Sequence, residues 1–90
     1  MEVLFFATIR NLTGEKELRV ARAATVRALL ELLATRYGEQ FRRKVLDEKG
    51  DPSPELIVLV NGHHIAHLDG GDTPLEETDR ISLFPVIGGG

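Results

Sequence analysis

The C-terminal residues Gly88, Gly89 and Gly90 are the strongest candidates in this sequence for a chemical function. They follow the last predicted strand and have no side chains to bury, so packing gives no reason for them. A glycine run can pass through a channel too narrow for a Cβ atom, although ordering it costs the most backbone entropy of any residue. We therefore expect this run to deliver the Gly90 carboxylate into the active site of another protein.

The negative charge of a free carboxylate at Gly90 limits the reactions open to it. The charge makes the group a poor electrophile, but it remains a nucleophile toward the α-phosphate of ATP. The resulting acyl-adenylate has an excellent leaving group, which sulfur or an amine can displace. The chain itself would contribute positioning, while a partner would hold the ATP. A glycine-rich end does not establish this function by itself, because terminal glycines are more often disordered ends.

Three histidines, His63, His64 and His67, are the second candidate cluster. Imidazole is a common metal ligand, but no carboxylates at a known ligand spacing accompany these residues. A separation of four residues aligns two imidazoles only on a helix, and here the histidines follow a predicted hairpin turn. We therefore predict solvated loop histidines and no metal site.

The composition excludes several classes of protein. Ninety residues suffice for one domain, and 11 basic against 14 acidic residues give a net charge of −3, which argues against binding nucleic acid through bulk charge. The chain has no cysteine, which excludes disulfides, thiolate metal sites and iron–sulfur clusters. The apolar runs are too short to span a membrane, and Glu2 precedes the first of them where a signal peptide would be basic. We expect a cytoplasmic protein with no nucleic-acid or membrane partner.

The elements that must position the C-terminal end begin with an amphipathic helix over residues 25–37. Its apolar residues recur at helical spacing, Thr25 is suited to cap its start, and Gly38 to end it. The polar residues of the opposite, exposed face are Arg27, Glu31 and Thr35. A short helical turn over 41–46, with Phe41 and Val45 toward the core, and a loop over 47–54 follow.

Five segments predict strands: 2–9, 17–20, 56–60, 64–67 and 80–86. The first two are expected to form a hairpin through a turn at 11–14, and Asn61-Gly62 is a strong hairpin signal. Residues 70–74 predict a further turn. Because the long connection containing the helix allows parallel pairing with the first strand, we predict an α+β fold in which one main helix covers one face of a mixed sheet.

The alternation of side chains along these strands predicts which residues lie on the other face of the sheet. Val3, Phe5 and Ala7 share one side of the first strand, and with the helix on that side five large apolar residues point away from it. These are Leu4, Phe6, Ile57, Leu59 and Phe84. Such a patch usually marks a binding site for a partner, which we favour. The alternative is that the segment 38–54 folds over some of these residues.

Four segments, in this order and spacing, resemble the β-grasp sulfur carriers of the ubiquitin superfamily, and among them the small subunit of molybdopterin synthase (MoaD type). The segments are VLFFA at 3–7, ATVRALL at 24–30, VLVNG at 58–62 and FPVIGGG at 84–90. The sequence departs from the common ending of that family in having one proline, Pro85, and a third glycine, Gly88. The long segment 38–54 favours the molybdopterin type over the compact thiamine type.

The resemblance implies a ubiquitin-like β-grasp domain over residues 1–87 and a flexible glycine tail over 88–90. It further implies that a ubiquitin-activating-type enzyme adenylates Gly90 with ATP, and that a sulfur donor then supplies the sulfur of a thiocarboxylate. The sulfur would pass to a pterin precursor on the large catalytic subunit of molybdopterin synthase, the carrier being inactive alone and holding no cofactor permanently. Open alternatives are a protein modifier joined through Gly90 by an isopeptide bond, a sulfur carrier for tRNA thiolation or thiamine synthesis, and a plain interaction module.

Overall fold

The computed structural model describes residues 1–86. In chain order its elements are β1 (Glu2–Phe5), α1 (Ala7–Thr13), β2 (Glu17–Arg19), α2 (Val26–Tyr37), α3 (Glu39–Val45), β3 (Leu56–Val60), β4 (His63–His64), the 3₁₀ turns Ile65–His67 and Gly70–Asp72, and β5 (Arg80–Pro85). Within this part of the chain no helix has both the length and the apolar character needed to cross a bilayer.

The strands form one mixed sheet in the order β2-β1-β5-β3-β4. Strands β1 and β5 run parallel, with Glu2 opposite Arg80 and Phe5 opposite Leu83. The other three pairs are antiparallel. The predicted mixed sheet and α+β class are therefore confirmed, and β5 lies at the centre of the sheet between β1 and β3.

One face of this sheet is packed against the helices. The side chains on that face are at most 6% exposed, and they are Val3, Phe5, Val58, Val60, Ile81 and Leu83. Helix α2 covers them with Val26, Leu29, Leu30 and Leu33, all fully buried. Helix α3 adds Phe41, whose ring lies 6.3 Å from that of Phe5. The predicted alternation of inward and outward residues is thus confirmed in all three central strands.

Helix α2 begins and ends as its sequence predicts. The Thr25 hydroxyl accepts a hydrogen bond from the Ala28 N–H at 3.2 Å, which satisfies one of the free donors of the first turn. Gly38 ends the helix at φ 102°, where a side chain would be strained. The turn at Asn61-Gly62 is also confirmed, with both residues at positive φ.

The prediction that the first strand continues to Ile9 is wrong. The strand ends at Phe5, and Ala7, at φ 52°, begins α1 instead of sharing the inner side of a strand. Ile9 is fully buried and Leu12 packs against the core, which is the three-residue spacing of a helix face. The predicted turn at 11–14 is therefore mostly helical, and only Gly14 (φ 73°) changes the chain direction. Strands β1 and β2 do pair antiparallel, but helix α1 connects them in place of the predicted turn.

Two further predictions are corrected in part. The return strand expected over 64–67 is limited to His63–His64, because the chain turns into the 3₁₀ segment that buries Ile65. The alternative in which the segment 38–54 folds over the outward residues does not hold for α3. Its residues Phe41 and Val45 pack on the helical side of the sheet. The short helix predicted over 41–46 is present as Glu39–Val45, the predicted loop follows it, and Leu46 pairs with Pro52 across that loop.

We expect the substitution Thr25→Ala to lower the free energy of unfolding by about 1 kcal/mol, since it removes the cap of α2. Urea denaturation followed by circular dichroism measures this. Thr35→Ala is the matched control, because Thr35 is exposed on the same helix and alanine has the higher helix propensity. Equal losses in the two variants would contradict the capping role.

Candidate functional site

The five outward apolar residues are brought together on the face of the sheet that no helix within residues 1–86 covers. In strand register Leu4 lies opposite Ser82, and Ser82 lies opposite Leu59. One step further along β5, Phe84 lies opposite Ile57. We call the surface formed by these residues the outer face; its apolar members Leu4, Phe6, Ile57, Leu59 and Phe84 are all half-buried. The structure thus places every predicted member in one contiguous patch.

The centre of the apolar end of the outer face is a stacked pair of aromatic rings. The rings of Phe6 and Phe84 lie 4.3 Å apart between centroids with an interplanar angle of 8°. The pairing follows from the parallel strands, because the Phe6 N–H still donates to the Leu83 carbonyl, at 3.2 Å. Such a pair contributes roughly 0.5–1.5 kcal/mol beyond the area that it buries. Phe6 is therefore held flat beside Phe84, although it lies just beyond the end of β1.

The opposite end of the outer face is charged. The Arg80 Nε donates to Glu2 Oε1 at 2.9 Å, and Arg19 Nη2 lies 3.9 Å from Glu2 Oε2. Both arginines are well exposed, so these ion pairs add little stability. They do give the face a direction, from charged residues where β5 begins to aromatic residues where it ends. The described chain ends at Val86, just after β5, and so at the apolar end of this face.

The last described residue, Val86, is fixed by one backbone hydrogen bond. Its N–H donates to the Glu55 carbonyl at 2.8 Å, while its side chain is 45% exposed. Val86 lines an open groove of about 320 Å³, together with Pro54, His64 and Ile65 among others. The residues predicted to carry the chemistry, Gly90 with Gly88 and Gly89, lie outside the described residues.

Of the three histidines, His64 lines this groove, and it has a structural contact. Its Nδ1 accepts a hydrogen bond from the Ala66 N–H at 2.9 Å, which caps the 3₁₀ turn Ile65–His67. The rings of His64 and His67 lie 6.0 Å apart, edge to face. Within residues 1–86 no three His, Cys, Asp or Glu side chains converge as a metal site would require.

Arg27 is a functional candidate that sequence reasoning missed. It lies on the exposed side of α2 as predicted, but its Nε and Nη2 both donate to Asp51 Oδ1, at 2.9 and 2.5 Å, and its Nη1 donates to Asp72. These hydrogen bonds, the one to Asp72 foremost, raise the pKa of Arg27 above its ordinary value. The partners lie 24 and 45 residues away in sequence, and no periodicity connects them.

Gly71 allows the two loops joined by Arg27 to approach each other. A Cβ atom at this position would lie 2.8 Å from the Pro52 ring and 3.0 Å from Arg27 Nη2. Gly71 does not have positive φ, whereas the neighbouring Gly70 does, at 57°. The predicted turn at 70–74 is therefore a turn at Gly70 and a close packing contact at Gly71, a distinction that the sequence cannot make.

Comparison with known proteins identifies the family of the chain. The chain matches the ThiS family over residues 3–90. It is similar to small archaeal modifier protein 3 of Haloferax volcanii, with 39% identity over 92 residues covering 100% of this chain and 98% of that protein. It also resembles a proposed sulfur carrier protein of Archaeoglobus fulgidus, with 31% identity over 70 residues and 78% of each chain covered.

A solved structure shows the same fold. A proposed molybdopterin converting factor, subunit 1, of Pyrococcus furiosus superposes with a TM-score of 0.70 at 29% identity, covering 96% of this chain and 95% of that one. The predicted ubiquitin-like β-grasp fold is thereby confirmed. At the level common to these relatives the protein is a ubiquitin-like sulfur carrier or modifier. The chain belongs to the ThiS family.

Proposed function

We propose that this protein is a sulfur carrier whose reactive group is the C-terminal carboxylate of Gly90, activated by a ubiquitin-activating-type enzyme in the cytoplasm. The observation that carries the proposal is the family match over residues 3–90, which includes the glycine end. The fold supports it, since the outer face offers a partner an uncovered apolar surface at the end of β5. The chain supplies the carboxylate and the docking surface, and the partner supplies ATP binding and the phosphate chemistry.

The reaction proceeds in two balanced steps. The carboxylate oxygen attacks the α-phosphate of ATP, forming an acyl-adenylate and releasing pyrophosphate. A sulfur nucleophile from the sulfur donor then attacks the acyl carbon, and AMP leaves. With hydrosulfide as the nucleophile, a C–S bond replaces the C–O bond to AMP, and loss of the S–H proton leaves a thiocarboxylate on Gly90. The role of the protein is to position the group in the partner's active site, and no cofactor needs to stay bound to it.

For docking, we propose that both the activating enzyme and any later partner contact the outer face. Its aromatic pair, Phe6 and Phe84, and the neighbouring Ile57 and Leu59 lie on the side of the sheet that no helix covers. Aromatic side chains are enriched in protein interfaces, and a side chain becomes an anchor when the partner fully excludes water from it. The ion pairs around Glu2 at the opposite end would fix the orientation of the partner more than the affinity.

The acceptor of the sulfur divides the proposal into two candidates. Transfer to a pterin precursor on the large catalytic subunit of molybdopterin synthase is the first, and the likeness to the converting factor of Pyrococcus furiosus supports it. Conjugation of Gly90 to lysines of other proteins is the second, and the 39% identity to a modifier protein over the full length favours it. Sulfur supply to tRNA thiolation or thiamine synthesis shares the same activation.

The activation step predicts a change in intact mass. With the activating enzyme, ATP and a sulfur donor, we expect one oxygen to be replaced by sulfur on a C-terminal peptide containing Gly90. Gly89→Ala should lower the rate of adenylation by at least roughly tenfold, since a Cβ obstructs a narrow channel and displaces the carboxylate. A chain with Gly90 deleted but the other residues intact is the control for side reactions. Sulfur found elsewhere, or none at all, would show that the proposal is wrong.

The two acceptors predict different products. Loss of the added sulfur in the presence of the large subunit and a pterin precursor supports the first candidate. A ladder of larger covalent species carrying a tagged copy of this chain in cells supports the second. If deletion of residues 88–90 leaves biological output unchanged, the protein is a plain interaction module.

The docking surface predicts a selective effect of one leucine. Leu59→Ala should raise the KM of adenylation by about five- to tenfold, the size expected for an anchor residue of an interface. Leu32→Ala is the matched control, because Leu32 is an exposed leucine (41%) on α2, away from the outer face. Steady-state pyrophosphate release measures both variants, with thermal denaturation as the check on folding. Equal KM values would overturn the assignment of the outer face.

A further inference from the structure

The direction in which the chain leaves the sheet is set by the segment 52–56. Val86 donates to the Glu55 carbonyl at 2.8 Å, and Pro85 lies opposite Leu56 in the β3–β5 ladder. These are the last contacts before residues 87–90. Residues 87–90 can reach at most about 14 Å from this point, so the position and exit direction of Val86 limit where the Gly90 carboxylate can be delivered. Orientation at this point therefore matters for any reaction at Gly90.

The segment 52–56 is held from one side by α3. The Ser53 N–H donates to the Val45 carbonyl at 2.8 Å, and the Ser53 hydroxyl accepts from the Glu55 N–H at 3.1 Å. Ser53 is one of two buried polar residues among those described. This arrangement shapes the turn that leads into β3, but it fixes only the side facing α3.

From the other side the segment is held by the Arg27 cluster. Arg27 binds Asp51, which directly precedes Pro52, and it also binds Asp72. Between them Gly71 lies against the Pro52 ring, with no space for a side chain. A single guanidinium thus joins the start of α2 to both loops that border the groove beside Val86.

We propose that Arg27 is a positioning residue: by tying the loops at Asp51 and Asp72 to α2 it fixes the exit direction at Val86, and so the delivery of the Gly90 carboxylate to the activating enzyme. This inference rests on the proposed function. Arg27 lies on the helical side of the molecule and contributes nothing to the outer face. Its loss therefore affects the placement of the reacting group and leaves docking unchanged.

The test compares Arg27→Gln with Arg42→Gln. Arg42 is a matched control, because it also joins two elements through a carboxylate, binding Glu31 at 2.7 and 2.8 Å with similar exposure. Arg27→Gln should lower the kcat of adenylation by roughly tenfold, as a misplacement of an ångström or less can do, with KM unchanged. Hydrogen exchange of the Val86 amide should become faster in this variant alone. Arg27→Lys keeps the positive charge but not the planar guanidinium that donates to both carboxylates. This variant should give an intermediate kcat.

The outcomes are separable. A kcat unchanged in Arg27→Gln, or lowered equally in both variants, overturns the inference. A rise in KM without a fall in kcat also overturns it, because the residue would then act in docking. If the unsubstituted protein is not adenylated at all, the proposed function fails and this inference with it. Should Arg27→Gln not fold, the variant Asp72→Asn takes its place in the test. It keeps the contact between Arg27 and Asp51, and the same fall in kcat is expected.

Discussion

The parallel pairing of β1 with β5 is the interaction on which the rest of the structure depends. It places the start and the end of the described chain side by side at the centre of the sheet. Parallel neighbours cannot be joined by a tight turn and need a long crossover. All three helices lie in that connection, where they cover one face. The same pairing aligns Phe6 with Phe84, so the core and the outer face have a common origin.

Because β5 is central, both of its edges pair with neighbouring strands, and apolar side chains occur on both of its faces. Ile81 and Leu83 complete the core, whereas Phe84 belongs to the face that no helix covers. Burial in the core explains the first two residues but not the third. Phe84 is half-buried and belongs to an apolar patch, and patches of this kind commonly mark a binding surface. Under the proposed function, a partner that docks near the end of β5 covers this patch.

Much of this arrangement was predictable from local rules. The span and cap of α2, the inner and outer alternation, and the turn at Asn61-Gly62 follow from periodicities and backbone preferences that a single sequence displays. Helix α1 was not predictable, because the residues from Val3 to Ile9 favour strands and the break depends on the positive φ of Ala7. The Arg27 cluster was also missed, since the start of α2 and the two loops at Asp51 and Asp72 meet only after the sheet has formed. Local patterns describe elements, whereas contacts between connections depend on the completed topology.

Under the proposed function, partners recognise the outer face, whereas the reaction takes place at the chain end that follows Val86. Under the proposed function the terminal group passes through carboxylate, adenylate and thiocarboxylate states, while the outer face remains the same in each. Partners that bind through this face cannot distinguish these states by docking alone, and they must occupy it one at a time. Selection between them then depends on the reacting end itself. Under the proposed function, the accuracy of sulfur transfer then depends on the terminal group and on where Val86 directs it, so the rigidity of the exit point is as important as the affinity of the surface.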